Sequence, residues 1–240
     1  MNRHSIFSAK ERRHLRENTR IIHALDVEDE DTAVNIARVV EEHVDSIKIS
    51  YPLIIKYGSR VILRIREVTH KPIIADFKVA DIPEISSRIV KTALESGVDG
   101  VIVHGFIGKD SVKKCVKTAK AMDGITFIVV EMSHQGSTEY IQNVGEKIAK
   151  MAKDVEADGV ITPATRPEKT KIYRSIVGDK MWIASPGIGS QGGRPGDAII
   201  AGANFEIIGR SIYRSSNPSI TAKKLVAEIR DKSAKTQEDV

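Results

Sequence analysis

Along this chain, short apolar runs rich in β-branched residues alternate with amphipathic stretches. The runs fall at 21–27, 46–50, 73–79, 100–105, 126–132, 159–164, 182–187 and 205–211. They are apolar at odd and even positions alike, as strands of a parallel sheet are when helices cover it. Between them, 31–43, 84–96, 111–121, 139–153 and 166–177 carry helical spacing, and a closing helix is expected around 218–232. Eight such units predict a (β/α)8 TIM barrel of the α/β class. A doubly wound open sheet is the alternative. That fold usually carries a glycine-rich fingerprint after its first strand, whereas this strand runs into Leu25-Asp26-Val27-Glu28-Asp29. No Pro- or Ser-rich linker divides the chain, so we expect one barrel domain over 21–233, a basic extension over 1–20 and a polar tail over 234–240.

Composition changes this picture little. The single cysteine, Cys115, excludes an internal disulfide and any multi-cysteine zinc site. Its helix-like surroundings suit a buried small residue, with a catalytic thiol as the minor alternative. No apolar run reaches the length of a membrane span, and the N-terminus lacks a secretory apolar core. We therefore expect a cytoplasmic protein without a membrane partner. The net charge is +5, but residues 1–20 carry six basic against two acidic side chains, +4 of that total. No basic stripe is interleaved with aromatics. The segment reads as a solvated helical or frayed extension, with a nucleic-acid arm as the lesser alternative.

Barrel enzymes place their chemistry at the C-terminal ends of the strands, and the unusual polar residues of this chain fall there. Strand one ends at Asp26, strand two contains Lys48 and strand three carries Asp76 and Lys78, with Asp81 just beyond. Side chains at i and i+2 share a face of a strand, so Asp76 and Lys78 point the same way. Neighbouring carboxylates keep Lys78 protonated, poised as a proton donor rather than a nucleophile. An alternating array Lys48–Asp76–Lys78–Asp81 follows. A structural salt-bridge network is the competing explanation, weakened because buried ion pairs rarely add net stability. Strand five leads into Glu131-Met132-Ser133-His134. Strand seven leads into a loop with four glycines between Gly187 and Gly193, and Pro195-Gly196-Asp197 then resembles a helix start. Strand eight leads into Gly209-Arg210-Ser211. Loops after strands seven and eight of such barrels commonly bind phosphate, and Arg210 supplies a charge-assisted partner. A flexible surface loop is the alternative. His104 and His134, isolated near strand ends, read as hydrogen-bonding residues rather than metal ligands.

These residues resemble the orotidine 5′-monophosphate decarboxylase family, particularly its archaeal members. The resemblance runs from about residue 21 to 213. It rests on Ala24-Leu25-Asp26, Val44 to Ile49, Ile74 to Glu84, Val103-His104-Gly105-Phe106, Glu131-Met132-Ser133-His134, Ser185 to Gly189 with Gln191-Gly192-Gly193, and Gly209 to Tyr213. It implies that Lys78 protonates C6 of the pyrimidine as carbon dioxide leaves, and that Asp76 lies against the departing carboxylate. Lys48 would hold Asp76 and the ribose hydroxyls, Asp26 the ribose, and Ser133 the pyrimidine amide edge. Gln191, Arg210 and backbone groups near Pro186, Gly187, Gly192 and Gly209 would hold the 5′-phosphate. Asp81 would enter the active site of the partner subunit in a homodimer, and Ile82 and Ile85 would take part in substrate binding. Ile85 departs from archaeal relatives that carry a ribose-binding threonine there. No cofactor and no metal are implied.

Two rivals remain at this point. Related barrels that act on 3-keto-gulonate 6-phosphate or make hexulose phosphate share Asp-x-Lys-x-x-Asp and use magnesium. They typically carry an acidic residue where this chain has Lys48, and lack the Glu-Met-Ser-His segment. A non-enzymatic barrel that binds a phosphorylated metabolite or nucleic acid is the second rival, disfavoured by the intact charge array.

Overall fold

In a computed structural model, which describes residues 13–238, eight parallel strands close into a barrel in the order β1 to β8. They are β1 (Ile21–Ala24), β2 (Ser46–Ser50), β3 (Ile73–Val79), β4 (Gly100–His104), β5 (Ile125–Val129), β6 (Gly159–Ile161), β7 (Trp182–Pro186) and β8 (Phe205–Ile208). Closure is made by β1 on β8, with Ile21 opposite Glu206 and Ile22 opposite Ile207. The ring of helices comprises α1 (Glu30–Val40), α2 (Tyr51–Tyr57), α3 (Arg60–Arg66), α4 (Pro83–Glu95), α5 (Lys109–Lys120), α6 (Gly145–Asp154), α7 (Pro167–Val177), α8 (Asp197–Ile200), α9 (Arg210–Tyr213) and α10 (Pro218–Glu238). The predicted (β/α)8 barrel is therefore the observed fold.

The period-two alternation of each strand sorts the core into two layers. On β3, Ile73, Ala75, Phe77 and Val79 face the helices, where they join Val90, Leu94 and Val112. Ile74 faces inward, among Ile22, Ile102, Phe127, Ile161, Ala184 and Phe205 from other strands. The barrel interior is thus a packed core up to the level where charged side chains replace apolar ones.

Several boundaries differ from the hydrophobic runs. Strand β1 stops at Ala24, although Leu25 and Val27 are buried beyond it. Strands β5, β6 and β8 likewise stop three residues before their apolar runs end. After β1, β5 and β6 the chain leaves the ladder while most of its side chains stay buried, whereas after β8 it turns directly into α9. Helix α6 begins at Gly145, after two 3-10 turns at Gln135–Thr138 and Ile141–Val144. The closing helix reaches Glu238, so the part of the expected polar tail that is described is helical.

Residues 13–20 correct the expectation of a solvated extension; residues 1–12 lie outside the described ones. Leu15 is buried within the barrel interior cluster, a burial worth about 1.5–3 kcal/mol. Asp45 accepts the backbone N–H groups of Asn18, Thr19 and Arg20 at 3.1, 3.0 and 2.8 Å. The Arg13 backbone N–H donates to Asp99 at 3.0 Å. The Arg13 guanidinium donates to the carbonyls of Thr69, Lys71 and Arg66. Asp45 and Asp99 lie just before β2 and β4, at the N-terminal end of the barrel. This segment is a strap across that end, opposite the candidate site.

Candidate active site

A cavity of about 850 Å³ opens at the C-terminal ends of the strands. Its charged floor is built by three neighbouring strands. Lys48, on the inward face of β2, is buried with its Nζ 2.8 Å from Asp76 Oδ2 and 3.4 Å from Asp26 Oδ1. Lys78 Nζ lies 2.7 Å from the other Asp76 oxygen, Oδ1. Ser50 Oγ donates to Asp26 Oδ1 at 2.6 Å. The carboxylate of Asp76 is thus clamped between two ammonium groups, one buried and one 36% exposed toward the cavity. Burial alone would raise the Asp76 carboxyl, but the charges of Lys48 and Lys78 outweigh it and hold it below the ordinary carboxylate range. Burial alone would lower Lys48, and Asp76 with Asp26 outweighs that in turn, so Lys48 is held above its ordinary value.

The alternation that makes Asp76 and Lys78 neighbours is distorted where it matters. Ala75 pairs with Val101 and Val79 with Val103, so β3 takes four residues where β4 takes two. Within this irregularity Lys78 has φ +40, a left-handed value that non-glycine residues seldom adopt. Such irregularities re-aim side chains beside active sites, and strain of this kind persists where surrounding structure enforces it.

At the rim after β8, the strand that pairs with β1, Arg210 lines the same cavity, and its side chain has no hydrogen-bond or ion-pair partner among the described residues. It opens α9 directly after β8, rather than extending the strand as expected. Gly187, with φ +115, lies under the same rim, and a Cβ there would meet Thr165 Cγ2 at 2.9 Å and Ser133 Cβ at 3.0 Å. Gly192 does not line the cavity; its N–H donates to Gly189 O at 2.8 Å, while Gly193 N–H donates to Gly187 O. Several loop amides expected to face an anion are therefore spent on the loop's own turn. The expected helix start at 196–197 is also occupied: Gly196 and Ala198 N–H groups donate to the buried Glu206 carboxylate. The anion-seeking groups left at the rim are Arg210, the first turn of α9 beside Gly209, and the exposed Ser190–Gln191 segment.

Between floor and rim, Ser133 Oγ donates to Gln191 Oε1 at 2.7 Å, so the β5 and β7 loops touch across the opening. Glu131, which sequence placed at the mouth, is instead wholly buried. It accepts from Arg166 Nε at 2.7 Å, Gln142 Nε2 at 2.8 Å and Tyr173 OH at 2.5 Å. Burial and the adjacent Glu131 raise the Tyr173 phenol, which stays protonated. His104 is pushed down to about 4 by burial and the nearby Lys78, its Nδ1 has no partner, and its ring packs on Phe106 at 4.6 Å. It is thus a neutral packing residue rather than the hydrogen-bonding one expected. Cys115 is buried and its thiol is pushed up to about 11 by that burial.

Of the expected site residues, Asp26, Lys48, Asp76, Lys78, Ser133, Pro186, Gly187, Gln191, Gly209 and Arg210 all line this one cavity. Asp81, Ile82 and Ile85 do not. The four-membered array therefore has three members within one chain, Asp26 joining them in place of Asp81. Asp81 sits in the exposed turn before α4, its Oδ1 accepting Ile82 N–H at 2.7 Å. Its carbonyl accepts from Ser86 and Ser111, which pins the turn. Thr165, Arg166 and Tyr213 line the cavity and were not expected. Arg166 had a signal available, an arginine directly before a helix-opening proline on the loop after strand six. Among the described residues, no cluster of three or more His, Cys, Asp or Glu side chains is arranged to hold a metal ion. No described helix is long and apolar enough to cross a membrane.

Comparison with known proteins agrees with this arrangement. Residues 19–225 match the family described as Orotidine 5′-phosphate decarboxylase / HUMPS family. An orotidine 5′-phosphate decarboxylase of Methanosarcina barkeri is 48% identical over 209 residues, 87% of this chain and 94% of that protein. The one from Thermococcus kodakarensis is 46% identical over 89% of this chain and 98% of its own length. The crystal structure of orotidine 5′-monophosphate decarboxylase from Methanocaldococcus jannaschii, complexed with inhibitor BMP, superposes with a TM-score of 0.83. It is 40% identical and covers 88% of this chain and 98% of that one. A closed parallel barrel, a lysine–aspartate–lysine floor and a glycine-and-arginine rim thus occur together in a chain that belongs to the orotidine 5′-phosphate decarboxylase / HUMPS family.

Proposed function

We propose that this chain decarboxylates orotidine 5′-monophosphate to uridine 5′-monophosphate, a step of pyrimidine nucleotide synthesis, with Lys78 protonating C6. The observation that carries this reading is that the Asp26–Lys48–Asp76–Lys78 array and an unpaired arginine, Arg210, line one cavity. The nucleotide would lie between them. Its 5′-phosphate would meet Arg210 and the α9 start, its base Ser133, its ribose Asp26 and Lys48, and its C6 carboxylate Asp76. When the C6–carboxylate bond breaks, carbon dioxide departs and the electron pair stays on C6. The Lys78 ammonium stabilises that charge as it develops and then gives its proton to the same carbon. A fixed ammonium favours the transition state because little charge resides at C6 beforehand. Phosphate contacts remote from the reacting bond orient the base over the floor.

The family also includes sugar-phosphate enzymes, and Lys48 separates the two readings. Its ammonium lies between the carboxylates of Asp26 and Asp76, where a divalent ion would seek the same two groups. Ser133 at the far wall supplies an amide-reading hydroxyl that a sugar phosphate would not need.

The site as described lacks Asp81, and we propose that a second copy supplies it. Exposed apolar side chains support this: Tyr51, Ile82, Phe106 and Tyr140 follow β2, β3, β4 and β5 in turn, at the end where the cavity opens. A C2 dimer through that face would carry the Asp81 turn of each chain toward the other's cavity.

The test is the loss of orotidine 5′-monophosphate absorbance with purified protein, with and without EDTA, beside 3-keto-gulonate 6-phosphate and magnesium. Turnover of the nucleotide, indifferent to EDTA, is expected. A folded protein inert toward the nucleotide overturns the reading, and turnover of the sugar phosphate alone would reassign it.

A further inference from the structure

Ser133 sits on a segment without regular secondary structure, between β5 and a 3-10 turn, yet a base-reading hydroxyl has to be held still. The β6–α7 loop holds it. Thr165 Oγ1 donates to the Ser133 carbonyl at 2.8 Å. The next residue, Arg166, donates through Nη2 to the preceding carbonyl, Met132 O, at 2.5 Å and to Ser137 Oγ at 2.9 Å. Consecutive side chains of one loop thus grip consecutive carbonyls of the other. Ser137 Oγ in turn donates to Met132 O and His134 O, closing the turn that follows Ser133.

The grip is itself anchored. Arg166 Nε pairs with the wholly buried Glu131, and Tyr173 OH and Gln142 Nε2 complete the carboxylate's partners. A planar guanidinium can bond Glu131 on one edge and Met132 and Ser137 on another at the same time; an ammonium cannot span both. Orientation of a contacting group by an outer shell of hydrogen bonds is a general device for keeping a site within its working geometry.

We propose that Arg166, anchored by Glu131, is a positioning residue for base recognition: it sets the course of residues 132–137 so that Ser133 meets the pyrimidine. The inference rests on the proposed nucleotide substrate and adds to it a residue that acts through Ser133 rather than on the reacting atoms.

Three variants test it in the full chain, with KM and kcat for orotidine 5′-monophosphate and the thermal midpoint measured on each. Arg166→Lys keeps a charge beside Glu131, so the thermal midpoint is expected near wild type while KM rises on the order of tenfold or more, with little change in kcat. Arg166→Met with Glu131→Gln removes both charges together and is expected to raise KM at least as far. In a Ser133→Ala background, Arg166→Lys should add far less to KM than it does alone, because both changes remove one interaction. Wild-type KM in Arg166→Lys, or an effect that simply adds to that of Ser133→Ala, overturns the positioning role and leaves only charge neutralisation of Glu131. Wild-type protein that fails to turn over the nucleotide would instead overturn the functional reading on which the inference stands.

Discussion

Lys78 combines a left-handed backbone at φ +40 with an ammonium 2.7 Å from a clamped carboxylate. The Asp76 carboxyl is held low, so its pairing contributes stability above the ordinary carboxylate range and loses it only as pH falls through the depressed value. Lys48 is held high, so its contribution is complete below its ordinary value of 10.5 and is lost only as pH rises beyond that. The Asp76–Lys48 pair therefore stays charged across neutral pH. At the rim, Arg210→Ala should raise KM for the nucleotide by roughly tenfold to a hundredfold, the loss of a charge-assisted pair, while leaving the fold intact; steady-state kinetics with an unchanged KM would remove Arg210 from the phosphate site. Gly187→Ala should also raise KM, by about tenfold or more, since strained backbone costs roughly 1–3 kcal/mol and the new methyl would press on Ser133 and Thr165. Wild-type kinetics in that variant would show that the loop tolerates a Cβ there.

Among elements, β8 shows how a buried acid serves the scaffold. Burial raises the Glu206 carboxyl to about 7 despite the Gly196 and Ala198 amides that bond it. Between about 4.5 and 7 the native state thus holds a proton the unfolded chain has lost, and Glu206 makes stability fall as pH rises. His23 and His104, each pushed down to about 4 chiefly by burial, act in the opposite sense between about 4 and 6.5, where the unfolded chain binds the extra protons. Thermal midpoints measured from pH 4.5 to 6.5 should rise more steeply in Glu206→Gln than in wild type; parallel profiles would contradict this. The same elements mark what sequence could tell. Eight apolar runs disclose eight strands because burial on both faces leaves no polar stripe, and ten of the expected site residues meet in one cavity. Strand ends were not legible, because Leu25 and Val27 stay buried after the ladder stops. Arg13 and Leu15 belong to a strap whose cationic composition read as solvated, since nothing in the local pattern announces the Asp99 and Thr69 partners. Glu131 and Arg166 were missed as a pair because they lie 35 residues apart on different loops.

For the whole molecule, the turn bearing Asp81 lies outside its own chain's cavity, which makes the proposed dimer testable through chemistry as well as mass. Lys78→Ala and Asp81→Ala proteins, each nearly inactive alone, should regain turnover when subunits are exchanged, because one site of each mixed dimer then carries both native residues. No recovery after confirmed exchange would place Asp81 in its own chain's site or outside catalysis. In the proposed reaction, the decisive step is delivery of a proton to C6 by the Lys78 ammonium. Its most direct measurement is turnover of orotidine 5′-monophosphate by Lys78→Ala, with BMP binding measured on the same protein. Turnover nearly abolished with binding largely retained is expected; turnover near the wild-type rate would rule out Lys78 as the proton donor.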